Sequence, residues 1–143
     1  MPQRKLTFDY PALPKKNPVT GEIIGELYYP LVVIRIAYKH HLGREFYALV
    51  DSGSDRNLFP ASLGILVGMN IKKGTEVTIG GIGRINIKAF THKITLYLGT
   101  KRFETEADFS FDQQVPLLGR NGFFNLFQSV TFKENKKVMT IEV

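Results

Sequence analysis

The chain has 143 residues, 43% of them apolar, and a formal net charge of +6. That length suits one domain with a sizeable core, and the composition excludes a disordered polymer. Cysteine is absent, which removes disulfides, thiolate metal sites and thiol nucleophiles. The basic residues are dispersed in doublets such as Lys15–Lys16, Lys72–Lys73 and Lys101–Arg102. There is no basic helix or aromatic RNA-binding signature, so no nucleic-acid partner is expected. No run approaches the roughly 20 apolar residues of a membrane span. The opening Met1 to Thr7 lacks the apolar stretch of a secretory signal. The expectation is a cytoplasmic protein without a membrane partner.

Four of the seven prolines fall within the first eighteen residues, so residues 1–28 are expected to form an arm of broken structure. Residues 29–143 are expected to form the folded domain. Leu31 to Ala37 and the run into Val50 are β-rich and should pair across the turn at His40 to Gly43. Ala61 to Val67, after Pro60, has room for a short turn of helix. Val77 to Ile79 leads into Gly80, Gly81, Ile82 and Gly83, and then Ile85, Ile87 and Ala89 alternate with polar residues, a hairpin pattern. Ile94, Leu96 and Leu98 continue with the same period up to a tight connection at Gly99–Thr100. Phe103, Thr105, Ala107, Phe109 and Phe111 then interleave with Glu104, Glu106, Asp108 and Ser110. Val115 to Leu118 reads as a strand breaking at Gly119. Asn121 is placed as the N-cap of a helix reaching Phe127. A third connection falls at Glu134 to Lys136, before a last strand over 138–143. The pattern predicts an all-β fold, a mostly antiparallel barrel or closed sheet with one short C-terminal helix.

Three motifs bear on chemistry. Asp51-Ser52-Gly53 ends an apolar strand in a carboxylate, a hydroxyl and a glycine. It is either a plain turn between strands or an acid presented at the floor of a cleft. The apolar flanks, Ala48 to Val50 before and Leu58–Phe59 after, favour a purpose, because a carboxylate between buried strands is costly to desolvate. The glycine-rich tip at 80–83 is either an ordinary hairpin turn or a segment that closes on a ligand. It is not a dinucleotide loop, since a strand and not a helix follows. Arg120, at the strand–helix junction, calls for an anionic partner. A serine hydrolase using Ser52 or Ser54 with His40 or His41 lacks a Gly-x-Ser-x-Gly elbow. His40, His41 and His92 lack metal-ligand spacing, so neither metal nor cofactor is expected.

Taken in order, Leu49 to Asp55, Ile79 to Gly83 and Leu117 to Asn121 resemble the active-site loop, flap tip and strand–helix junction of the retropepsins, the single-domain aspartic proteases of retroviral type. The likeness spans about residues 29–132. It implies a retropepsin-like acid protease barrel acting as a homodimer, an aspartic endopeptidase whose substrate is a peptide or protein. Asp51 would be the catalytic residue, paired with its copy from a second subunit. Ser52, Gly53 and Ser54 would support it, with the Ser54 hydroxyl donating to the Asp51 carboxylate. Ile79, Gly80, Gly81, Ile82 and Gly83 would form the flap over an extended peptide. Leu49, Asp55, Leu58, Val115 and Leu117 would line substrate pockets, and Asp55 and Arg120 would form a buried structural ion pair. The alternative is a retropepsin-like dimerisation or peptide-binding module with little turnover.

Overall fold

The computed structural model describes residues 4–80 and 85–143. The two-residue period seen in the sequence becomes strands because alternate side chains point to opposite faces. Along Leu31–Tyr38, Val32, Ile34 and Ile36 are buried while Val33 is exposed. In chain order the strands are β1 (Lys5–Asp9), β2 (Ala12–Lys16), β3 (Ile23–Tyr28), β4 (Leu31–Tyr38), β5 (His41–Leu42), β6 (Phe46–Val50) and β7 (Leu58–Pro60). A five-residue helix, α1 (Ala61–Ile65), separates these from β8 (Thr75–Ile79), β9 (Ile87–Leu98) and β10 (Lys101–Ser110). The chain ends with β11 (Leu117–Leu118), β12 (Ser129–Lys133) and β13 (Val138–Glu142).

Strands β4, β6, β11, β7, β10 and β9 are hydrogen-bonded in that order, and β9 pairs back onto β4, closing a six-stranded barrel. The closing register is Arg35 to Tyr97, Ile36 to Leu96 and Ala37 to Thr95. Ile34, Ile36, Ala48, Val50, Phe59, Leu96, Phe109 and Leu118 fill the interior. The Phe59 ring packs edge-on against both Phe46 and Phe109, a geometry that suits the aromatic quadrupole. Closure protects the backbone edges of these strands. The expected hairpin across 40–43, the connections at Gly99–Thr100 and 134–136, the final strand and a short helix after Pro60 are all present. Among the described residues no helix is long and apolar enough to cross a membrane.

Two expectations differ. Residues 1–28 are not broken structure over their described part: β1 pairs along its whole length with β13, which also pairs with β12. Strands β2 and β3 form a separate exposed hairpin. The prolines are accommodated because Pro11 precedes β2 and Pro14 sits in a two-stranded ribbon, where one edge needs no donor. The helix expected from Asn121 is instead a single 3-10 turn at Phe124–Leu126. Gly122 stands at φ +115° and Phe123 is non-helical, so the helix cannot start where the spacing suggests. The Asn125 side chain, not Asn121, accepts the Gly122 amide at 2.9 Å.

Tyr10 ties the N-terminal segment to the domain. It is buried in the core, and its hydroxyl donates to Glu134 Oε1 at 3.0 Å. Burial first, then this bond and the Glu134 charge, push its pKa from 10.0 up to about 12. The unfolded phenol ionises near its ordinary value, so the stabilisation is complete below pH 10 and is lost as the pH climbs from 10 to 12. Urea unfolding of wild type and Tyr10→Phe should therefore show stability curves that converge across that window. A constant gap would contradict the raised value.

Candidate active site

Asp51 immediately follows β6, and its position is set by two backbone bonds. Its amide donates to the Leu118 carbonyl at 2.9 Å, and its own carbonyl accepts the Ser54 amide at 3.1 Å. Strand β11 lies parallel to β6 and antiparallel to β7, with Leu117 opposite both Leu49 and Leu58. The loop 51–57 therefore rises from the barrel between strands already locked in register. Its far side is stitched to the segment after β11: the Arg120 amide donates to the Ser54 carbonyl at 2.9 Å, and the Asn121 amide to the Asp55 carbonyl at 2.8 Å.

The Asp51 carboxylate is half-buried and accepts the Gly53 amide through Oδ1 at 2.9 Å. Among the described residues it makes no hydrogen bond or ion pair with another side chain. Gly53 serves by space: a Cβ there would lie 3.2 Å from Asp51 Oδ1 and crowd the carboxylate. Ser52 is exposed. The Ser54 hydroxyl does not donate to Asp51, as expected from the resemblance, but to the Arg56 carbonyl at 2.8 Å. The turn closed by the Ser54 amide on the Asp51 carbonyl leaves that hydroxyl pointing along the loop.

Asp55 and Arg120 approach to 4.0 Å, with side chains 84% and 63% exposed. In the single chain this is a surface contact and not the buried ion pair expected. The buried pair is a different one. Arg56 grips Asp108 side-on, Nε to Oδ2 at 2.7 Å and Nη2 to Oδ1 at 2.9 Å. The Asp108 side chain is fully buried. The Thr91 hydroxyl donates to Asp108 Oδ1 at 2.6 Å. The hydrogen bond to Asp108 raises the Arg56 pKa above its ordinary value; burial opposes this, and the Asp108 and Glu106 charges add to it. Sequence reasoning missed this pair. Asp108 falls in register with Glu104 and Glu106 as a solvated position, and Arg56 lies 52 residues away in the chain. It also missed Asn57, which is fully buried, accepts the Gly119 amide at 3.0 Å and donates to the Glu106 carbonyl at 3.0 Å.

Of the expected pocket residues, Leu49 and Leu117 are half-buried neighbours across β6 and β11, and Val115 is half-exposed. Leu58 is not free to line an open pocket in the single chain: at 6% exposure it is part of the buried interior, flanked by Leu117 and Asp108. The expected flap is the β8–β9 hairpin, with Ile79 opposite Ile87. Gly80 follows it, whereas Gly81, Ile82 and Gly83 lie outside the described residues. Because β9 runs on for twelve residues into the barrel, this hairpin is a continuous extension of a barrel strand. His92 is buried, and its Nε2 donates to the Ile71 carbonyl at 2.8 Å, a structural bond. Two surface grooves of about 550 and 530 Å³ lie elsewhere, one along β1 and β4, the other beside Lys73 and His92. Asp51 lines neither.

Gly119 shows how tightly the loop is built. A Cβ there would stand 2.3 Å from the Arg56 carbonyl oxygen and 2.7 Å from its nitrogen. Backbone cannot swing aside as a side-chain end can, so Gly119→Ala is expected to cost about 2 kcal/mol by overpacking. Gly25→Ala, where a Cβ meets nothing within 4 Å, is the control and should leave urea unfolding almost unchanged.

No protein-family model matches the chain, and no curated protein matches it.

Proposed function

We propose that this chain is a retropepsin-like aspartic endopeptidase that works as a homodimer, each subunit supplying one Asp51. The observation that carries this reading is a solitary carboxylate, half-buried at the end of a barrel strand, oriented by its own loop yet joined to no second acid among the described residues. Hydrolysis of a peptide bond by carboxylate acid–base chemistry needs two such groups. A symmetric dimer provides the second without any new residue, since the same patch meets itself across a two-fold axis.

In this reading the two Asp51 side chains share one proton, because adjacent carboxylates resist double ionisation. The ionised member accepts a proton from water as its oxygen attacks the peptide carbonyl. The protonated member donates a hydrogen bond to the carbonyl oxygen and then helps the amine depart. Ser52, exposed beside the carboxylate, would bond across the two-fold axis in this reading. The β8–β9 hairpin would cover an extended peptide, which binds by adding a strand. No metal or other cofactor enters this chemistry.

The test is a peptide-library digest over a range of pH, with and without a pepstatin-type inhibitor, alongside a mass measurement in solution. Inhibitor-sensitive cleavage at a dimer mass supports the endopeptidase. A stable dimer that binds peptides without cutting them would replace it with the binding-module reading. Because substrate can drive association by mass action, the mass is measured with inhibitor as well as without.

A further inference from the structure

We propose that Asp108, with Arg56 and Thr91, forms a positioning clamp that holds the Asp51 loop against the strand bearing the flap hairpin. The clamp rests on the endopeptidase reading for its catalytic meaning, but its geometry stands independently. Three elements meet at one buried carboxylate. Arg56 belongs to the loop 51–57, Asp108 to β10 and Thr91 to β9. The register links them further: Asp108 lies opposite Leu58 on β7 and opposite Thr91 on β9, and Thr91 lies opposite Thr75 at the base of the β8–β9 hairpin.

Each group in the clamp is satisfied by another. Both Asp108 oxygens accept from Arg56, and Oδ1 also accepts the Thr91 hydroxyl. Arg56 Nη2 reaches Thr91 Oγ1 as well, at 3.3 Å. The side-on guanidinium fixes direction as well as distance, which a lysine ammonium would not. The next link toward the reacting group is short. The Arg56 carbonyl accepts the Ser54 hydroxyl, Ser54 closes the turn on Asp51, and the Ser54 carbonyl accepts the Arg120 amide. Holding Arg56 thus holds the turn that aims the Asp51 carboxylate. Arg56 and Asp108 do not touch Asp51 and are not catalytic residues.

The test combines a loop readout with kinetics in the full-length protein. Amide hydrogen exchange of Ser54 and Arg120 reports the loop, and exchange along β4 reports the barrel. Asp108→Asn should speed exchange at Ser54 and Arg120 by about 10-fold or more beyond any change along β4, which follows global stability, as expected for losing a charge-assisted bond. With a cleavable peptide, kcat should fall about 10-fold with KM moving less than about 3-fold, the sign of a misplaced reacting group. Arg56→Lys, which keeps the charge but loses the fork, should fall between wild type and Asp108→Asn on both readouts. Unchanged loop exchange in Asp108→Asn would overturn the clamp. Faster loop exchange with unaltered kcat would overturn its positioning role. A wild type that cuts nothing, with loop exchange still accelerated in the variant, would sink the endopeptidase reading and leave the clamp in place. If Asp108→Asn does not fold, Thr91→Val removes only the hydroxyl bond to Oδ1; loop exchange equal to wild type in that variant also overturns the clamp.

Discussion

Asp51→Asn is expected to abolish peptide cleavage while leaving the fold intact. The amide is nearly isosteric with the carboxylate, and its oxygen can still accept the Gly53 amide that orients Asp51 at 2.9 Å. What is lost is the capacity to take and return a proton, so the rate should fall by a factor on the order of 10⁴, the upper range for general acid–base groups. Melting should change by less than about 0.5 kcal/mol, as for a substitution that removes no buried contact. Mixing experiments sharpen the result. If each site needs two Asp51 side chains, an equimolar mixture with the Asn variant, after subunit exchange, leaves only about one quarter of the dimers with both carboxylates. Activity per wild-type chain then drops by about half under the same symmetric association. Activity indifferent to added Asn variant would mean that a single chain holds a complete site.

The second large effect concerns which ion pair carries stability. Arg56→Ala should cost about 3 kcal/mol, because it strands the fully buried Asp108 side-chain carboxylate with, among the described residues, only the Thr91 hydroxyl as a partner. Arg120→Ala should cost less than about 1 kcal/mol, since its contact with Asp55 is long and exposed. The resemblance alone predicts the opposite order. Urea unfolding of the two variants separates them. A double variant, Arg56→Ala with Asp108→Ala, should recover part of the Arg56→Ala loss, because the stranded charge is gone. If the single and double variants are equally unstable, the cost comes from lost packing of the arginine stem and not from an orphaned carboxylate.

Several buried contacts hold the loop that carries Asp51. Gly119, Asn57 and Arg56 lie within it or against it, and each is held by contacts to backbone or to a buried group. Such a loop resists displacement without needing a long hydrophobic segment of its own. That is the arrangement expected of a reacting side chain whose orientation matters.

The amino-acid sequence by itself determined the strands of the barrel and the place of Asp51 at the end of one of them. Period-two alternation over 31–37 and 103–107 is a local consequence of burying one face, and turn residues at 99–100 and 134–136 act within a few positions. Only the tertiary structure decided that residues 5–9 join the domain, since the pairing of β1 with β13 connects the two ends of the chain. Only it broke the expected helix after Asn121, where a left-handed Gly122 and the burial of Phe123 override helical spacing. It also moved the buried ion pair from Asp55–Arg120 to Arg56–Asp108. Local pattern marks Asp108 as solvated because it alternates with Ala107 and Phe109. Yet near the end of β10 both faces are covered, and the carboxylate finds an arginine that chain distance had hidden. Periodicity reports which face of a strand is buried; what covers the other face is a long-range contact, and no local rule encodes it.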